Sequence, residues 1–491
     1  MASAKIFSLV IPSQAIPFPG KLLQFFLGLI YACIIYILTE GWFPFRIQRP
    51  NVSNGFMKMV IKRATCVWVL AYLGFLICSS SLAEDRFERN PIQYSNSKAD
   101  NMVSLLQGKL DREDVKWSRE KRTGYLRFLL KDLGIDTDSQ TLVFSKTSLQ
   151  GKLISPSRPR ALYFNDDIYV GYVPGSHLLE VSVADPKLGA VFYTFDQDKR
   201  RLNRRVADCM ACHGSSRTDY QPGHLLRSIF PAENGHPILR AGTRLTTHNS
   251  PYGERWGGWY VSGRGGEIQH MGNALTKEAE DGTIQLYKRS SSETDLTDLF
   301  DTDYYLSAHS DIVAMMVQDH QVQMHNLLAL ANYQTRYALY DQQIIDKALG
   351  NDSGGMRAST RRRIANAGDK LLKYMLFLEE APLAGGVKGT TDFANEFSER
   401  GPHDAKGRSL YQLDLRTRLL KYKCSYLIYS DAFESLPVPM KEYLYRKLWG
   451  VLNGLDEDEA FVTLQPNDSR EILEILLQTK KSLPAYWKKD S

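Results

Sequence analysis

This chain of 491 residues is expected to fold as an α+β protein, on three observations. Between residues 139 and 285, short runs rich in β-branched and aromatic side chains alternate with turn residues, which reads as strands. From residue 286 onward the apolar spacing lengthens to three and four, the period of helices packed against a body. No internal repeat or low-complexity tract points to a solenoid or a fibre.

In chain order, the spacing predicts helices over 99–107 and 118–133, the second stopped by Gly134. Thr141-Leu142-Val143-Phe144 reads as a strand. The runs 161–164 and 168–172 flank Asn165-Asp166-Asp167 and read as a hairpin. Strands are expected over 178–183 and 190–195, separated by Asp185-Pro186, and over 256–262, tipped by Gly263, Gly265 and Gly266. A long helix is expected over 311–345, with a break near Asn332. Another covers 356–380, with Arg361, Arg362 and Arg363 on its solvent face. A loop over 385–407 precedes helix over 410–455 and 469–480. The chain thus divides into a hydrophobic leader (1–83), a helical region (84–138), a β-rich region (139–285) and a mainly helical region (286–491).

The leader carries an export signal over 57–83. Lys58, Lys62 and Arg63 form its charged start, 66–78 is apolar, and Ser81-Leu82-Ala83 is a small-x-small cleavage site. The alternative is an anchor that is never cut. A second apolar run, 22–38, is at the short limit of a membrane span. Either Met57 or Met59 is the start, or the chain begins with a span whose flanking Arg46, Arg49, Lys58, Lys62 and Arg63 lie on the cytoplasmic side. Both readings place the remainder in the periplasm or otherwise outside the cytoplasm. Of 61 basic and 55 acidic residues, seven and one fall in 1–83, so the rest is balanced at 54 each. A neutral body offers no argument for nucleic acid. Past the leader only Cys209, Cys212 and Cys424 remain, and Cys424 lies in an apolar run that suits a buried small side chain.

Cys209-Met210-Ala211-Cys212-His213 is a Cys-x-x-Cys-His pentapeptide. Two thiols at this spacing can bond the two vinyl groups of one haem, and the following imidazole can take an axial position on its iron. With 6 Cys and 10 His in the chain, chance would supply the pattern roughly 0.001–0.002 times. A zinc site wants a second Cys/His pair, and a thioredoxin-like pair wants a strand running into a helix. The polar run 199–205 before the motif does not read as a strand. Haem c with one iron is therefore the expected cofactor, held by Cys209, Cys212 and His213.

The second axial position is open in sequence. Met271, 58 residues beyond His213 in a glycine-flanked segment, is the first candidate, with His270 and His320 as alternatives. His320 shares a helix face with Met316 and Met324, which also fits a methionine-lined core. His224, His236 and His248 read as loop or hydrogen-bonding residues. Trp256, Trp259 and Tyr260 could wall a haem, and Arg200, Arg201, Arg204 and Arg205 could pair with its propionates. Asp208 is placed to cap a helix carrying the motif.

Four blocks carry a family resemblance: Pro159-Arg160-Ala161-Leu162-Tyr163-Phe164-Asn165-Asp166, Glu254-Arg255-Trp256-Gly257-Gly258-Trp259-Tyr260-Val261, His270-Met271-Gly272-Asn273 and Lys423-Cys424-Ser425-Tyr426-Leu427-Ile428-Tyr429-Ser430. Over most of 140–490 the chain resembles large exported bacterial monohaem c-type cytochromes, a family with no established activity. The resemblance implies covalent haem and electron transfer with a redox partner protein or a quinone-linked donor or acceptor. The alternatives are a peroxidase-like haem enzyme with an open distal site, in which His270 with Arg264 or Arg255 assists the chemistry, and a haem-based sensor or subunit of a larger redox complex.

Overall fold

The computed structural model describes residues 86–288, 294–350 and 354–488, so the expected leader and export signal lie outside the described residues. The chain is α+β. Strands β1 (Thr141–Val143), β2 (Arg160–Phe164), β3 (Ile168–Tyr172), β4 (Leu178–Asp185), β5 (Gly189–Asp196) and β6 (Arg201–Arg205) follow one another as an antiparallel meander. Two short pairs, β7 (Arg227–Ile229) with β8 (Thr243–Leu245) and β10 (Ala274–Glu278) with β11 (Ile284–Lys288), stand apart from it. Strand β9 (Trp259–Tyr260) closes the sheet beside β1. The hairpin of β2 and β3 turns where Asn165 Oδ1 accepts from the amides of Asp167 and Ile168.

Alternation along the strands gives the sheet two buried faces. Ala161, Tyr163, Val170 and Tyr172 pack with α1 (Met102–Asp111) and α2 (Leu126–Asp132). Leu162, Phe164 and Tyr169 face the other way, into the core built by α4 (Ile312–Ala348) and the C-terminal helices. Those helices are α5 (Ala358–Met375), α6 (Phe393–Glu399), α7 (Asp431–Glu434), α8 (Val438–Leu452) and α9 (Pro466–Thr479). The motif itself lies on α3 (Ala207–His213).

Several elements differ from expectation for local reasons. The helix expected over 118–133 begins only at Leu126, because Glu120 and Gly124 exchange backbone hydrogen bonds in a tight turn with Gly124 at φ +64°. The strand over 256–262 shrinks to two residues, because Trp256 and Gly258 adopt positive φ. Helix α4 runs unbroken past Asn332, whose side-chain amide donates across to the carbonyl of Pro186 at 3.3 Å. Residues 410–425 are not helical, since Asp414 turns the chain by accepting from the amides of Arg416 and Thr417. The polar run before the motif forms strand β6, with Arg204 donating to the carbonyls of Ser97 and Tyr94. Asp208 does not cap α3; it lies in the first turn and pairs with Arg205. Among the described residues, no helix is long and apolar enough to cross a membrane.

Asp311 ties α4 to the rest. Its carboxylate accepts from the amides of Val313 and Ala314 at the helix start, and from the amides of Thr390 and Thr391 and the Thr391 hydroxyl. An ordinary N-cap contributes about 1 kcal/mol, and a buried carboxylate with several donors more. Asp311→Ala should therefore lower unfolding stability by about 2–4 kcal/mol, seen as a lower urea midpoint at unchanged slope.

Candidate functional site: a cavity beside the motif

Four adjacent strands present alternate residues to a cavity of about 330 Å³, within the range of small-molecule sites. Register aligns Leu162, Gly171, Glu180 and Thr194 across β2 to β5, with Tyr169, Ser182 and Phe192 in the next row. Gly171, Ser182 and Thr194 are small, so the sheet face is hollow here. At Gly171 a side chain would strike the Arg160 guanidinium, which reaches across the strand to pair with Glu180. Gln318 and Val322, one turn apart on α4, form part of the wall with Leu226 and Trp259. Cys209, Cys212 and His213 of α3 line the same space.

The motif side chains have distinct environments. Cys212 is exposed and Cys209 half-buried, and neither is in a disulfide. Burial, reinforced by the nearby Glu180 carboxylate, pushes the Cys209 thiol up to about 11. It is the opposite of the depressed thiol of a reactive redox pair. Strand β6 does run into α3, yet the sheet pairs antiparallel, without the parallel βαβ unit of that alternative. His213 packs on Phe192 with ring centres 4.5 Å apart, and burial lowers its basicity. Its Nδ1 is 2.8 Å from the carbonyl oxygen of Gly223. An Nδ1–H donated there fixes the tautomer and leaves Nε2 as the nitrogen for a metal.

His224 is the second cavity imidazole. It is 5% exposed, and among the described residues neither ring nitrogen has a hydrogen-bond partner. Burial, with smaller repulsions from His325 and His213, holds it well below the usual imidazole range. Tyr169 lies against it at 4.7 Å between ring centres, and its backbone is clamped by Asn326, which donates to the His224 carbonyl and accepts from its amide.

Of the side chains singled out in sequence, the structure brings Asp208, Cys209, Cys212, His213, His224 and Trp259 to this cavity. Met271 is 6% exposed, and its sulfur is 3.8 Å from the Ser228 hydroxyl. His270 packs against Trp256 and accepts from the Gly272 amide. His320 is fully buried between His248 Nδ1 (2.8 Å) and Ser425 Oγ (2.7 Å), stacked against Tyr374 and Phe377. Neither Met271, His270 nor His320 lines the cavity, because each is packed among its own neighbours. Trp256 donates to Asp319, and Tyr260 donates to the Pro156 carbonyl. Arg255 is spent on Asp319 and two backbone carbonyls. The arginines of β6 do not reach the cavity; Arg160, Arg217 and Arg227 do.

Sequence reading missed the Arg160–Glu180 pair, Arg217 and Arg227, and took His224 for a loop or hydrogen-bonding residue, whereas it lines the cavity. A signal existed for the pair and the hollow: Gly171, Glu180, Ser182 and Thr194 are small or polar residues at strand positions on the helix-facing side. Elsewhere, carboxylate oxygens of Asp136, Asp138 and Glu396 lie within 4.8 Å of one another in a separate cleft, an arrangement common on surfaces without an ion.

Behind His224, His325 shares its Nδ1 with the Tyr169 hydroxyl at 3.1 Å, and burial lowers its pKa to about 4. The unfolded chain takes up this proton below about 6.5 and the folded chain only below about 4, so the stability difference is lost as pH falls through that window. Relative to His325→Gln, the wild type should lose about 3 kcal/mol between these limits, measured by urea unfolding at several pH values. Comparison with protein-family models, curated proteins and solved structures finds no match to this chain.

Proposed function

We propose that the chain is an exported redox protein carrying one covalently bound haem c. Cys209 Sγ and Cys212 Sγ would each add to a vinyl group, the sulfur bonding one carbon and the thiol proton going to the other. His213 Nε2 would ligate the iron. The observation that carries this reading is His213: its Nδ1 is engaged by the Gly223 carbonyl, and its ring lines a cavity shared with both thiols. The bound group supplies one-electron chemistry. The chain's own residues would determine how that group is held: Phe192, Tyr169, Leu162 and Trp259 line the cavity and would exclude water from it, and the Arg160–Glu180 pair adds no net charge there. Electron transfer to a redox partner protein or a quinone-linked donor or acceptor is the first reading.

A second reading, a haem enzyme with an open iron position, gains support from the placement of Met271. For Met271 to serve as a ligand it must leave Ser228 and enter a cavity that, among the described residues, it does not line. An open position requires no such movement.

Protein from a host that matures c-type cytochromes should show one haem per chain in a pyridine haemochrome assay, retained after acid–acetone extraction. Cys209→Ala with Cys212→Ala should release it, and wild-type protein without covalent haem ends the proposal. The resting ferric spectrum then separates the two readings. High-spin bands that shift with cyanide support the open position. A far-red methionine band that disappears in Met271→Ala supports the closed one.

A further inference from the structure

Three guanidinium groups line the cavity, those of Arg160, Arg217 and Arg227, and two carboxylates, those of Glu180 and Asp208. Glu180 is taken by Arg160, and Asp208 by Arg205, which lies outside the lining. Arg217 and Arg227 are left without a carboxylate partner among the described residues. Arg227 is half-buried, with Nε and Nη2 at 3.3 and 3.2 Å from one neutral acceptor, the Thr243 hydroxyl. Arg217 is exposed and lines the same cavity; burial first, and then the Arg217 charge, lower the basicity of Arg227. Two like charges turned toward one space, one of them partly desolvated, are unfavourable unless an anion joins them. Guanidinium forks match carboxylate geometry and bind it through paired charge-assisted hydrogen bonds.

We propose that Arg217 and Arg227 form a carboxylate-binding pole of the cavity. Two sources of that chemistry exist. One is the pair of propionates of a bound haem, and this arm rests on the haem reading above. The other is a free small carboxylate that enters beside the motif. The pole is a different set of residues from the β6 arginines expected in sequence. Of those, Arg204 is held by backbone carbonyls and Arg205 by Asp208, while Arg200, just before β6, lies over the ring of Tyr125.

The test uses the haem-loaded protein with Arg217→Gln, Arg227→Gln and the charge-preserving Arg227→Lys, in carboxylate-free buffer, with succinate as the probe. Haem per chain is measured first by pyridine haemochrome. If the pole holds propionates, Arg217→Gln and Arg227→Gln keep their haem but show a reduction potential below that of wild type, Arg227→Lys recovers most of it, and calorimetry detects no succinate binding. If the pole takes a free carboxylate, wild type binds succinate saturably and each glutamine variant binds about tenfold or more weakly. Wild-type potentials in both glutamine variants together with no succinate binding overturn the proposal. Arg217 is exposed, so its variant reports even if Arg227→Gln does not fold. A chain without haem sinks the haem reading alone, and the succinate titration still decides whether the pole exists.

Discussion

The contact between the sheet and α4 is interrupted at one place, and the arrangement around the motif depends on that interruption. A buried sheet face normally carries large apolar side chains that meet the helix above them. Here Leu162 and Phe164 do so, while Gly171, Ser182 and Thr194 withdraw, and the space between them and Gln318 and Val322 stays open. A hollow of this kind forgoes dispersion contacts and leaves polar groups without partners. An unpartnered buried imidazole such as His224 costs about 1–3 kcal/mol, a sizeable part of the 5–15 kcal/mol that typically separates folded from unfolded chains. The deficit lies beside two thiols, a second imidazole and two arginines that, among the described residues, have no carboxylate partner.

The strands were legible because their cause is local. Short runs rich in β-branched and aromatic residues, with Asn165-Asp166-Asp167 and Asp185-Pro186 between them, leave little room for another reading, and β2 to β5 lie within two residues of where the pattern places them. Helix ends were less legible because competing groups lie far off in sequence. Asn332 could have broken α4, but its side chain finds the Pro186 carbonyl instead. The segment over 410–425 has helical spacing, yet Tyr411 is drawn away by Asp166 and Arg418 by Asp468. Strand β6 was hidden by its charges, which are tolerable because it is an edge strand with arginines that reach backbone carbonyls.

At the site, the motif was visible because its geometry lies within five consecutive residues. Its surroundings were not, because they are assembled by register. Arg160 and Glu180 belong to different strands and meet only because Gly171 lies between them. Arg217 and Arg227 reach one cavity from the 3-10 turn Ser216–Thr218 after α3 and from the short strand β7. Nothing in the wording of the sequence distinguishes these arginines from those of β6.

Burial alone does not identify a ligating histidine in this protein. His248 and His320 are as buried as any, yet they bond each other and fill a slot between Tyr374 and Phe377. His325 serves Tyr169. Two criteria applied together are more selective: a ring that lines the cavity, and a nitrogen left over after its hydrogen bonds are made. Among the described residues His213 and His224 meet both. They are not equivalent. Nδ1 and Nε2 lie on opposite sides of an imidazole, so the Gly223 carbonyl that holds Nδ1 of His213 lies behind the ring, away from any metal on Nε2. His224 follows Gly223 in the chain, and among the described residues both of its ring nitrogens are without a partner. The other candidate iron ligands read from sequence, Met271, His270 and His320, have their contacts elsewhere.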